Sequence, residues 1–252
     1  MDKYALITGC SKGIGKEIAL ALASIGYNII GTYNTSLEEI KNLKYEVEIK
    51  GVSFNYYKLD LLDDDNIDKF LKDINNNYKT IDILINNAAL SLDDGIDNKT
   101  SKEFQDVLKV NLIGPFSLIK GLKDKLKIAI NIASTDGIDT YSSLNIDYSA
   151  SKAGLINLTK SLSLAIPSIK ILAICPNWIE TESIREMNQE YLKEEMKRIN
   201  QKKLIKPDEI SKKIINIIND DIKSGEIIVM RDSNEWRKIC VRMWKKNKRW
   251  IK

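Results

Sequence analysis

The sequence predicts an α/β protein: a single doubly wound, parallel, seven-stranded sheet with helices on both faces. Three observations carry that expectation. Short apolar runs alternate with helix-length segments whose apolar residues recur three and four apart, the pattern of repeated strand–helix–strand units. The first strand–helix junction is rich in glycine. The 252 residues contain no low-complexity linker and suffice for one sizeable core.

Taken in order, residues 4–7 are an apolar strand that runs into Thr8-Gly9-Cys10-Ser11-Lys12-Gly13-Ile14-Gly15. Glycines here let the backbone turn tightly and approach a pyrophosphate, whose charge the next helix N-terminus favours. That helix puts Ile18, Leu22 and Ile25 on one face and stops at Gly26. Residues 27–33 read as the second strand, 36–50 as a helix, and 52–59 as a third strand ending at Asp60. Residues 63–78 form a helix with Ile67, Phe70, Leu71 and Ile74 inward. The fourth strand, 81–85, is followed by Asn86-Asn87-Ala88-Ala89. Residues 102–122 read as one long helix kinked by Pro115. A fifth strand spans 128–133, a helix 148–166 and a sixth strand 170–175. The segment 182–203 is amphipathic and rich in Lys and Glu. A helix over 207–219 has Pro207 in its first turn, and 226–230 is the seventh strand. Right-handed crossovers place helices on both faces. Residues 1–230 make one dinucleotide-binding and catalytic domain, and 231–252 a basic amphipathic extension.

Composition narrows the chemistry. There is no histidine, which removes a Ser-His-Asp triad and histidine-ligated metals. No metal site is expected, and acid–base work falls to Tyr, Lys or carboxylates. Cys10, Cys175 and Cys240 are far apart without metal-ligand spacing, as in a reducing compartment. No apolar run reaches membrane-spanning length. The first residues enter a strand at once, with no room for a signal peptide, so a cytoplasmic location is expected. The net charge of +4 is uneven: residues 231–252 carry nine Lys and Arg against two Asp and Glu.

Tyr148 and Lys152 stand four apart at the start of a helix, so their side chains share one face. A tyrosine ionises near pH 10 and is a poor acid or base at neutrality. A lysine ammonium beside it favours the phenolate and lowers that value, making Tyr148 a usable acid–base group. Ser134 ends the fifth apolar run, at the strand edge where open α/β sheets bind ligands. Its hydroxyl can donate to a substrate oxygen.

Thr8-Gly9-x-x-x-Gly13-x-Gly15, Asn86-Asn87-Ala88, Asn111, Ser134 and Tyr148-x-x-x-Lys152 resemble, in order and spacing, the motifs of the short-chain dehydrogenase/reductase family. The resemblance covers residues 3–230 and is nearest to the 3-oxoacyl-carrier-protein reductases. It implies a Rossmann-type fold and a catalytic set of Asn111, Ser134, Tyr148 and Lys152. Tyr148 would protonate a carbonyl oxygen and Ser134 would hydrogen-bond it. Lys152 would hold the nicotinamide ribose and lower the pKa of Tyr148. Asn111 would hold a water linking Lys152 to solvent. The cofactor-binding set would be Gly9, Ser11, Lys12, Gly13, Ile14, Gly15, Thr32, Asn34, Asp60, Leu61, Asn87, Ala88, Tyr148, Lys152, Pro176, Ile179 and Thr181. An acid at the end of the second strand would repel a 2′-phosphate. The chain has Thr32-Tyr33-Asn34 there, with Lys12 in the glycine loop, so NADP(H) is favoured over NAD(H).

The resemblance thus points to NADPH-dependent reduction of a ketone, with a 3-oxoacyl thioester as one candidate. An alcohol or sugar dehydrogenase or an epimerase of the same family is the enzymatic alternative. A non-catalytic dinucleotide sensor with a partner-binding tail is the other. The partners implied are a small carbonyl or alcohol substrate and sister subunits of a dimer or tetramer, with no nucleic acid. Three departures stand out. Ala89 replaces the usual glycine. Asn177 replaces the glycine after Pro176, where asparagine's tolerance of left-handed angles lets the turn survive. The C-terminus carries Trp236, Ile239, Cys240, Met243 and Trp244 as an apolar helical stripe. It suits a helix docked on the body or a sister subunit, then an anionic surface, and least a nucleic acid. Ile184, Met187, Tyr191, Met196 and Ile199 are expected to shelter the substrate as a lid.

Overall fold

The computed structural model describes residues 2–232. The apolar tail stripe and most of the basic extension lie outside the described residues. Seven strands form one parallel sheet in the order β3-β2-β1-β4-β5-β6-β7. They are β1 (Lys3–Ile7), β2 (Tyr27–Tyr33), β3 (Phe54–Lys58), β4 (Ile81–Asn86), β5 (Leu126–Ile132), β6 (Lys170–Pro176) and β7 (Ile227–Met230). The order reverses between β1 and β4, and a parallel sheet opens a crevice beyond the strand C-termini at such a point.

Side-chain alternation along the strands divides the core into two layers. Ala5 and Ile7 of β1 face one way and Leu6 the other. The first layer is closed by α1 (Gly13–Ser24), α2 (Leu37–Glu48) and α9 (Pro207–Asn219) through Ile18, Leu22, Leu43, Ile210 and Ile214. The second is closed by α3 (Asp64–Asn77), α5 (Gly114–Leu122) and α6 (Ile146–Ala165) through Phe70, Ile74, Leu118 and Leu162. Each fully buried Leu, Ile or Phe contributes about 1.5–3 kcal/mol over its exposed state. Ile25, expected inward, is 41% exposed. It caps α1 just before Gly26 turns the chain with a φ of +86°, so the last turn points outward.

The expected helix over 102–122 is three pieces: α4 (Ser101–Leu108), a π-helical turn (Lys109–Ile113) and α5. Pro115 lies in the first turn of α5. It has no N–H to offer the Asn111 carbonyl four residues earlier, so the ladder widens instead of kinking. The segment 182–203 also splits, into α7 (Glu182–Glu186) and α8 (Gln189–Arg198). Among the described residues no helix is long and apolar enough to cross a membrane.

Candidate active site

The glycine loop is knitted to the end of β4 from both sides. The Thr8 hydroxyl accepts from the Asn87 and Ala88 amides at 2.9 and 3.0 Å. The Asn87 side-chain amide donates back to the Thr8 and Gly9 carbonyls at 2.9 and 3.0 Å. A Cβ on Gly15 would lie 2.6 Å from both that amide nitrogen and the Gly9 carbonyl oxygen. Only glycine permits that approach. Gly13 adopts a φ of +58° and lines a cavity of about 370 Å³ with Lys12, Ile14, Asn87, Thr181 and Glu186. This cradle at the start of α1 fits a dinucleotide pyrophosphate.

A second cavity of about 400 Å³ continues past Ile14, Asn87 and Thr181. It gathers Ser134, Tyr148, Lys152, Pro176 and Ile179. Ser134 lies two residues beyond the end of β5, as the cap of a short turn, Thr135–Gly137. Its hydroxyl accepts from the Asp136 amide at 3.1 Å. That turn sits directly on α6: a Cβ on Gly137 would lie 2.5 Å from the Ala153 nitrogen and the Lys152 carbonyl carbon. The contact brings Ser134 to the tyrosine and lysine.

Lys152 is 2% exposed. Its Nζ donates to the Ile132 carbonyl at 2.8 Å and stands 5.2 Å from the Tyr148 ring centre. Burial pulls the Lys152 ammonium down to about 8, against smaller opposing effects of Cys175 and Asp136. The lysine was expected to lower the pKa of Tyr148. In the protein without cofactor, the phenol is instead pushed well above its ordinary value. Burial is the main cause and the Asp136 carboxylate the second, with the Ser134 hydroxyl drawing it partly back. A half-buried phenol beside a carboxylate keeps its proton.

The other expected residues lie around this centre. Asn111 is buried in the π-helical turn. Its side chain is engaged: Oδ1 accepts from the Leu90 amide at 2.7 Å, and Nδ2 donates to the Leu90 carbonyl at 2.8 Å and to Ser151 Oγ at 3.1 Å. Ser151 in turn donates to the Tyr148 carbonyl at 2.6 Å. The Asn111 amide is therefore a clamp between the loop after β4 and α6. Thr32 is buried and accepts from the Gly9 amide at 3.2 Å; Gly9 and Ser11 are packed inside the loop. Asn34 is exposed at the end of β2. Asp60 accepts from the Leu62 amide, Leu61 packs beneath Gly114, and Ala88 packs against Gly9. None of these residues lines either cavity.

The departures resolve simply. Ala89 is exposed and lines the larger cavity. Asn177 does not take left-handed angles; Asn200 is the one such non-glycine among the described residues. Asn177 is instead buried, accepting from the Thr135 hydroxyl, so the turn survives through a side-chain bond. Of the expected lid, Ile184, Met187 and Ile199 line the cavity and Tyr191 and Met196 do not. The sequence reading missed Ser91, Asp93, Asp136, Asn145 and Trp178, which also line it. The turn signal of Asp136-Gly137, two residues after Ser134, was the available clue.

Comparison with known proteins agrees with this geometry. A family model described as short chain dehydrogenase matches residues 3–192. A 3-oxoacyl-[acyl-carrier-protein] reductase FabG of Aquifex aeolicus is 34% identical over 236 residues, covering 90% of this chain and 94% of that one. The enzyme of the same name from Staphylococcus aureus is 34% identical over 203 residues, covering 78% and 82%. A dehydrogenase/reductase from Sinorhizobium meliloti superposes with a TM-score of 0.84 at 25% identity, covering 91% of this chain and 93% of that one. The chain therefore belongs to the short-chain dehydrogenase/reductase family, on its 3-oxoacyl-[acyl-carrier-protein] reductase branch, and is an NAD(P)-dependent oxidoreductase.

Proposed function

We propose that the protein reduces a ketone carbonyl with NADPH, with Tyr148 as the acid. The observation that carries this reading is a pair of adjoining cavities that share Ile14, Asn87, Thr181 and Ser183. Ser134, Tyr148 and Lys152 line one, and Gly13 and Lys12 the other. A nicotinamide held beside Tyr148 and Lys152 would supply the hydride chemistry. Ser134 donates a hydrogen bond to the carbonyl oxygen and orients it. Tyr148 gives that oxygen its proton, completing the alcohol. Lys152, held at about 8 by burial, returns a proton to the phenolate and recovers one from solvent. The reverse oxidation needs Tyr148 as a phenolate, which burial and Asp136 oppose.

NADPH over NADH is supported by the absence of an acid in Thr32-Tyr33-Asn34 and by the exposed Lys12. A ketoreductase solved with NADPH and an alcohol dehydrogenase solved with 5-hydroxy-NADP share the fold, with TM-scores of 0.80 and 0.79. The relatives' names make a 3-oxoacyl thioester the first substrate class to try. Exposed Ile113, Phe116 and Leu164 suit a homo-oligomer contact, and the basic tail is assigned to a contact with the body or a sister subunit.

Titration with NADPH and with NADH, followed by nicotinamide fluorescence, tests the reading. NADPH is expected to bind at least about tenfold more tightly, a difference of about 1.4 kcal/mol. Tighter NADH binding would overturn the cofactor assignment, and no binding of either would overturn the whole reading.

A further inference from the structure

The catalytic cavity carries more hydrogen-bond acceptors than its reaction uses. Asp136 lines it two residues after Ser134. One carboxylate oxygen of Asp136 accepts from the Thr140 hydroxyl at 2.6 Å. Thr140 is 4% exposed, and its hydroxyl oxygen also lies 2.9 Å from that of Thr135, which donates to Asn177. The carboxylate is thus held by a built network. Its other oxygen has no hydrogen-bond partner and no ion pair among the described residues. Asn145, three residues before Tyr148, lines the same cavity, and its buried Oδ1 has no partner among the described residues. Asp93 adds a second carboxylate to the lining, bonded at one oxygen by Ser91 at 3.0 Å. Lys152 is the only base among the described lining residues, and its Nζ is committed to the Ile132 carbonyl. Arg198 is near, but it forks onto Glu195 at 2.6 and 2.9 Å and does not line the cavity.

Arg198 and Lys152 act on the Asp136 carboxylate without forming an ion pair with it, and burial outweighs them, so a ligand that brings a cation to its open oxygen relieves that cost. An acyl chain would bury these acceptors against methylene groups and leave them unpaired. We propose that Asp136 is a specificity-determining residue that selects ketones bearing a protonated amine a few bonds from the carbonyl, with Asn145 and Asp93 completing the ammonium subsite. The inference rests on reading Ser134, Tyr148 and Lys152 as a carbonyl-reducing site, and it sets an amino ketone ahead of an acyl thioester. A bound ammonium also neutralises the carboxylate beside Tyr148, so proton transfer is easiest when the selected substrate is present.

Three ketones of one shape test this with the intact protein and NADPH at neutral pH. They are 4-(dimethylamino)butan-2-one, its neutral isostere 5-methylhexan-2-one, and the anion 4-oxopentanoate. The cation is expected to exceed the isostere in kcat/KM by about tenfold or more, the scale of one charge-assisted hydrogen bond, and the anion to be the poorest. Asp136→Asn is expected to bring the cation-to-isostere ratio to within about threefold of unity, because its amide keeps the shape without the charge. The wild-type series stands without the variant if that variant does not fold. Turnover of the neutral ketone with no preference for the cation overturns the inference and leaves the reductase reading standing. Better turnover of the anion, or an Asp136→Asn variant that keeps the wild-type ratio, overturns it too. Binding of NADPH with turnover of none of the three, nor of a 3-oxoacyl thioester, counts against both.

Discussion

The Lys99 ammonium and the Asp147 carboxylate meet 3.0 Å apart in the interior, with side chains 3% and 0% exposed. Lys99 also donates to the Leu92 carbonyl, and the other Asp147 oxygen accepts from the Tyr148 amide at 2.8 Å. The pair fastens the loop after β4, which carries Ser91 and Asp93 into the cavity, to the backbone of Tyr148. Breaking one side of a buried pair strands the other charge, at a cost of about 3–5 kcal/mol. Lys99→Met is therefore expected to lower stability by that amount in denaturant unfolding. Adding Asp147→Asn should recover much of the loss, since the Tyr148 amide keeps its acceptor. Equal stability for Lys99→Met and the parent would show that the pair contributes nothing.

Gly137 sets the distance between Ser134 and Tyr148. Its missing Cβ leaves room for the α6 backbone at Ala153 and Lys152. Gly137→Ala must push the turn away from the helix, which costs about 1–3 kcal/mol and separates Ser134 from the substrate oxygen. Turnover is expected to fall about 10²-fold, as when a positioned donor is lost. Gly51→Ala is the control. Gly51 has a φ of +83° and open space around it, so alanine there costs about 1–2 kcal/mol and leaves turnover unchanged.

Buried Lys152 makes stability pH-dependent, with a definite sign. Its folded value of about 8 lies below the ordinary 10.5. Between those values the unfolded chain holds the proton and the folded chain does not, so stability rises with pH across that window. Cys10 and Cys175 act in the opposite sense. Burial lifts both thiols from 9.0 to about 12, so they remove stability as pH rises above 9. Lys152→Met isolates the lysine contribution. Relative to wild type, the variant's stability should be highest below pH 8 and should decline steadily toward pH 10.5. A constant difference across that range, measured by urea unfolding at several pH values, would contradict a depressed lysine.

Much of this was legible in the chain. Strand and helix order follow from periodicity, because the central strands bury both faces and the long helices one. The glycine loop and the Tyr148–Lys152 spacing also read directly, since backbone freedom and helical geometry are local. What was not legible depends on partners distant in sequence. Lys99 reads as a surface charge until α6 brings Asp147 to it. Asn111 reads as a site residue, yet its amide is spent on Leu90 and Ser151. The direction of the Tyr148 shift was missed because the i,i+4 rule supplies the lysine but neither the burial nor Asp136. The π-helical turn needs the bond that Pro115 cannot make, and periodicity alone does not register it.

The account stands most directly on the Tyr148 hydroxyl. Tyr148→Phe removes one oxygen from the cavity and leaves the glycine loop untouched. NADPH binding by fluorescence and ketone reduction should be measured on the same preparation. Binding within a few-fold of wild type, with the reduction rate down by about 10²–10⁴, is the expected result. A variant that binds NADPH and still reduces the ketone at near the wild-type rate would contradict Tyr148 as the acid.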